Sequence, residues 1–162
     1  MRKGFILSVA LFGFFSSFNL QAQENIHIMH AWVAEAPPNA KVMAGYMVLH
    51  NMGKKDVQLL AVSCPMFSSV EMHRTIIEQG MARMVRDQHL TIKAGESVSF
   101  QPGGRHLMMF NPVKRLKQGD KLDITLVFTH SKKTTQATVK RKKTVKQSNQ
   151  HGDHEHQEPT KR

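Results

Sequence analysis

Leu122, Ile124, Leu126 and Phe128 alternate with Lys121, Asp123, Thr125 and Val127, and a period of two is the mark of a strand with one buried face. The same reading, less clean, predicts strands over Ile26–Val33, Ala44–His50, Val57–Val62, Val70–His73, Ser97–Gln101 and Arg105–Phe110, with a weaker last one through Thr135, Ala137 and Val139. Turn chemistry separates them: Pro37-Pro38, Asn51-Met52-Gly53, Pro65, Ala94-Gly95 and Pro102-Gly103-Gly104. Between residue 23 and residue 140 no stretch sustains a helical period for three turns. Short strands with a turn signal every ten or so residues predict an all-β domain, a Greek-key β-sandwich or barrel, over residues 23–140.

The two ends break this pattern. Arg2 and Lys3 precede an almost unbroken apolar run from Phe5 to Phe15, and Leu20-Gln21-Ala22 offers a small residue for cleavage. Residues 1–22 therefore read as a secretory signal peptide cut after Ala22, the apolar run being short for a membrane span. From residue 141 the chain is basic and then polar, with no large apolar residue after Val145, so residues 141–162 are expected to form a disordered tail. At 162 residues, with 40% hydrophobic content, one domain with a proper core fits between them.

Charge and cysteine narrow the setting. Losing Arg2 and Lys3 leaves 21 basic residues against 12 acidic ones, a net charge of +9. A secreted chain without aromatics interleaved among its basic residues is not expected to bind nucleic acid; an anionic membrane surface or an acidic protein fits better. Cys64, the one cysteine, cannot make an internal disulfide. It lies among apolar residues and reads first as a small buried hydrophobe, with metal ligation as the alternative.

Eleven methionines and ten histidines stand out in a chain of this size. On a strand through Arg105–Phe110, His106 and Met108 share a face while Leu107 and Met109 take the other. On the Val70–His73 strand, Val70 and Met72 turn inward and His73 is freed. Met84 follows a turn expected at Gln79-Gly80, so His73, Met84, His106 and Met108 can meet at one rim of the domain. Neutral thioether and imidazole donors suit soft Cu(I), whereas zinc prefers imidazole with carboxylate or thiolate.

These four residues follow the spacing His-X10-Met-X21-His-X-Met, and in this the chain resembles the periplasmic copper chaperones of the PCuAC family. The likeness takes in Ala31-Trp32, Ala36-Pro37-Pro38, Ala44-Gly45-Tyr46-Met47, Val70-Glu71-Met72-His73 and Pro102-Gly103-Gly104-Arg105-His106-Leu107-Met108. It covers roughly residues 26–140; with this composition the four-residue pattern would arise by chance about 0.002 times. The resemblance implies a cupredoxin-like fold, a periplasmic location and a monomer binding Cu(I). It also implies delivery to a copper-accepting protein, a cytochrome oxidase subunit or a Sco-type chaperone. His151, His154 and His156, with Asp153 and Glu155 among them, are harder donors and form a candidate secondary Cu(II) site in the tail. His27, Met29 and His30 are further potential ligands or merely solvent-facing strand residues.

Two other functions share these features. A storage or resistance protein could use the same ligands, and a blue-copper electron carrier would require Cys64 in the coordination sphere. An enzyme is not expected: no Ser/His/Asp order, paired carboxylates or phosphate loop is evident, and four filled ligand positions leave no room for a substrate.

Overall fold

A computed structural model describes residues 25–141. The expected signal peptide and the tail histidines His151, His154 and His156 lie outside the described residues. Ten strands run in chain order: β1 (Ile26–Ala34), β2 (Val42–Asn51), β3 (Val57–Ser63), β4 (Phe67–Glu78), β5 (Met81–Asp87), β6 (Leu90–Ile92), β7 (Ser97–Phe100), β8 (Arg105–Pro112), β9 (Lys121–Phe128) and β10 (Lys132–Lys140). All are hydrogen-bonded into one open sheet in the order β5-β4-β8-β7-β2-β1-β10-β9-β3-β6, with β8 also pairing with β2. Only β1–β10 and β7–β8 are parallel. The fold is all-β and cupredoxin-like, as the alternation and the resemblance imply.

The sheet wraps one hydrophobic core to which every strand but β5 contributes a buried residue. Val33, Leu49, Leu59, Leu107, Ile124, Leu126 and Val139 are fully shielded there. Leu122, Ile124, Leu126 and Phe128 are buried along β9, as their period of two requires. Asn51, at the end of β2, is buried with them but fully engaged. Its amide donates to the carbonyls of Lys55 (2.8 Å) and Ile92 (3.1 Å), and its Oδ1 accepts from the Gly53 amide (3.0 Å). The expected Asn51-Met52-Gly53 turn is thus also a polar tie to β6.

Three strands depart from the expectation. β4 has 12 residues, far longer than Val70–His73, and β5 and β6 are additional to the expected strands. Thr75–Glu78 of β4 extends past the end of β8, whose pairing stops at Arg74↔Arg105, and ladders with β5 alone. This half of the hairpin lies outside the core: no residue of Thr75–Glu78 or of β5 is buried. In β1 the ladder with β2 is interrupted between Met29 and Trp32, and His30 within the interruption has φ +54°. That bulge is why the alternation of β1 fades after its first residues.

Candidate metal centre

The segment Pro102-Gly103-Gly104 positions the site. β7 pairs with the second half of β2, ending at Met47↔Phe100, and β8 resumes on its first half at Gly45↔Leu107. Residues 101–106 therefore stand opposite Tyr46 alone, and the chain makes a tight loop in which the Gly104 amide donates to the Gln101 carbonyl (3.0 Å). Gly103, at φ +79°, permits that turn. The loop delivers Arg105 and His106 to β4 instead of β2. β8 and β2 then pack closely: a Cβ on Gly45 would lie 3.0 Å from the Met109 sulfur and 3.3 Å from the Leu107 Cβ.

On the other side, Gln79 (φ +51°) and Gly80 (φ +79°) form the two-residue turn joining β4 to β5. Positive φ at both central positions is the type I′ geometry that matches the twist of a hairpin. It sets the register that brings Met84 opposite Thr75 and Arg86 opposite His73.

The sequence-predicted residues occupy one face of three neighbouring strands. His73 on β4 lies directly opposite His106 on β8, their ring centroids 6.1 Å apart. Met108 is opposite Glu71, two residues before His73, and Met84 is opposite Thr75, two residues after it. His73 is therefore the hub: His106 is its direct cross-strand neighbour, and Met84 and Met108 are its diagonal ones. Diagonal neighbours sit roughly 7–8 Å apart at the backbone, within reach of long side chains. Val70, Met72, Leu107 and Met109 point to the opposite face, Met72, Leu107 and Met109 being buried. Shielding is graded: His106 is 7% exposed, Met108 intermediate and Met84, on the edge strand, 64% exposed.

Hydrogen bonding sets the nitrogen each imidazole presents. His106 Nδ1 lies 3.1 Å from the Gly104 carbonyl, and His73 Nε2 lies 2.9 Å from Glu71 Oε2. A carbonyl and a carboxylate only accept, so both of these nitrogens donate. The lone pairs of the neutral rings then fall on His106 Nε2 and His73 Nδ1. Among the described residues, His73 Nδ1 is the buried side-chain atom left without a hydrogen-bond partner. A buried acceptor of this kind costs about 1–3 kcal/mol unless something binds it.

Two contributors to the site were not found from sequence. Glu71 holds His73 and is itself bound by Arg86 (3.0 Å), a relay across β4 and β5. Asp87, 9% exposed at its side chain, bridges Arg74 and Arg105 at 2.7 Å each. It ties together the same three strands that carry the His and Met residues. The Val70-Glu71-Met72-His73 alternation puts Glu71 beside His73, but nothing in the sequence showed which partner each would take.

Other candidates lie elsewhere. Cys64, in the β3–β4 connection, belongs to the hydrophobic core, and burial pushes its thiol pKa up, which disfavours the thiolate a blue-copper site needs. His30 is displaced by the β1 bulge, while His27 and Met29 are exposed on the strand. Among the described residues no cluster of three or more His, Cys, Asp or Glu is arranged to hold a metal. Among the described residues no helix is long and apolar enough to cross a membrane.

Known proteins share this architecture. The copper-bound PCuAC domain from PmoF2 superposes with a TM-score of 0.62 at 24% identity, covering 72% of this chain and 92% of that one. The solution structure of Cu(I)-bound DR1885 from Deinococcus radiodurans gives a TM-score of 0.60 at 32% identity, with 76% and 83% covered. The uncharacterized protein RP573 of Rickettsia prowazekii (strain Madrid E) is 34% identical over 116 residues, which span 67% of this chain and 62% of that relative. The LpqE-like family matches residues 26–140, nearly all of the strands described above. The chain belongs to the LpqE-like family, which includes the PCuAC domains.

Proposed function

We propose that this chain is a periplasmic copper chaperone that holds Cu(I) through His73, Met84, His106 and Met108 and passes it to a copper-accepting protein. The observation that carries the reading is the buried, unpartnered Nδ1 of His73, on the face it shares with three further neutral donors. Two imidazoles and two thioethers match a soft monovalent ion and offer a hard one little. The Cu(I)-bound relative from Deinococcus radiodurans supports the same cargo.

Four donors carry one ion per chain, which suits delivery better than bulk storage. Without a thiolate, the ion is held through neutral ligands that a stronger donor on an acceptor can displace. Met84, the most exposed of the four and on the edge strand, is the thioether that an incoming ligand replaces first. A cytochrome oxidase subunit or a Sco-type protein is the acceptor class we favour.

Replacing Met108 by Leu tests the site. Volume and apolarity are nearly kept, so stability should change by less than about 1.5 kcal/mol. Cu(I) affinity, measured by competition with a chromophoric chelator, should fall by roughly tenfold or more, equivalent to about 1.4 kcal/mol per decade. Unchanged affinity would remove Met108 from the site.

A further inference from the structure

The outer face of β2 begins beside the proposed metal centre on β4, β5 and β8 and ends at His50, which with His27 of β1 forms an unassigned pair of histidines. Ala44 lies opposite Met108, and Tyr46, Val48 and His50 continue along the same face. At the far end His50 is directly opposite His27 of β1, and Met29, opposite Val48, is the diagonal neighbour of His50. The Met52 amide donates to the Asn25 carbonyl at 2.8 Å. Two residues further along the ladder, His27 and His50 therefore fall in a hydrogen-bonded pair position, with Cα atoms about 5.5 Å apart.

We propose that His27 and His50 form a second, surface metal site for a divalent first-row transition ion, Cu(II) being held most tightly. Two imidazoles side by side on adjacent strands can converge on one ion, and Cu(II) heads the affinity order for nitrogen donors. His50 Nδ1 is 2.8 Å from the Ser97 hydroxyl. That hydroxyl can accept the Nδ1 proton, which fixes the ring and turns the Nε2 lone pair outward. Both rings are open to solvent in part or whole, and Met29, 38% exposed, adds a thioether within reach.

The pairing separates residues that are close in sequence. His30, three positions from His27, sits in the bulge with no ladder partner, whereas His50, 23 positions away, is its neighbour across the strands. The site is also distinct from the Cu(I) centre. Six residues of extended β2 span about 20 Å, and the Trp32–Tyr46 ring pair, 4.5 Å between centroids, lies between the two ends.

The test uses the full secreted chain and aqueous Cu(II) up to three molar equivalents, followed by the paramagnetic loss of histidine ring NMR signals. His27 and His50 should disappear together. In His50→Ala the Cu(II) concentration needed to broaden His27 should rise about tenfold, because a chelate has become a single ligand, and His27→Ala should act on His50 in the same way. His73→Ala should leave both signals as sensitive as before, so failure of the Cu(I) reading and failure of this one are separable. Broadening of His27 that is unaffected by His50→Ala, or no broadening of either ring by three equivalents, would overturn the proposal.

Discussion

At the scale of single residues, the proposed centre depends on how an imidazole is held as much as on the imidazole itself. His73 can offer Nδ1 because Glu71 takes the Nε2 proton, and Glu71 is kept in place by Arg86. Removing an outer partner of a metal-binding histidine commonly costs 10–100-fold in metal affinity. Glu71→Ala should therefore weaken Cu(I) binding by about that factor without touching any of the four donors. Glu71→Gln keeps an acceptor oxygen and should lose much less. The pair, read in a Cu(I) competition titration, separates orientation of the ring from mere packing; equal affinity in both variants would deny Glu71 this role. The four proposed donors were legible in the sequence as a candidate set because their types are chemically rare together and their spacing is that of a known family. Glu71, Arg86 and Asp87 were not, because charged residues on strands usually face water, and only the cross-strand register tells which of them meet.

Among the elements, the β4–β5 hairpin carries the most consequence for the least core. β5 is an edge strand with no buried residue, paired to β4 alone, and it bears Met84. Its register rests on the Gln79-Gly80 turn, where Gly80 adopts φ +79°. A β-branched residue in that conformation is strained by about 1–2 kcal/mol. Gly80→Val should loosen the hairpin and weaken Cu(I) binding through Met84, while amide exchange in β9 and β10, far along the sheet, stays slow. If exchange rises throughout the domain instead, the hairpin is not an independent unit. The same facts explain why β5 escaped the sequence reading. Met81 to Asp87 buries no face, so no alternation was selected, whereas β9, with one face against the core, announces itself in every second residue. β6 escaped for a simpler reason, having only three residues.

For the molecule as a whole, the question is where the two oxidation states of copper would be held. The His/Met face offers soft neutral donors, whereas His151, His154 and His156, with Asp153 and Glu155, are imidazoles and carboxylates suited to Cu(II). We propose that this terminal segment captures Cu(II) and raises its concentration near the domain, as covalently linked sites do for one another. Imidazole binds metal only when neutral, so capture should weaken as pH falls through the ordinary histidine range. A chain ending at Gln147 should lose most of its Cu(II) binding in an equilibrium dialysis measurement and keep its Cu(I) affinity. The His27–His50 pair supplies an internal control, since it lies in the described domain and survives the truncation. The Cu(II) still bound by the shortened chain should be held about tenfold more weakly when His50→Ala is added, because a chelate becomes a single ligand and two sites without shared ligands contribute independently. Full Cu(II) binding by the shortened chain would mean that the terminal histidines only solubilise the protein. Residual binding of unchanged affinity in the shortened His50→Ala chain would direct attention back to His73, His106 and the neighbouring Glu71 as a site able to hold either oxidation state.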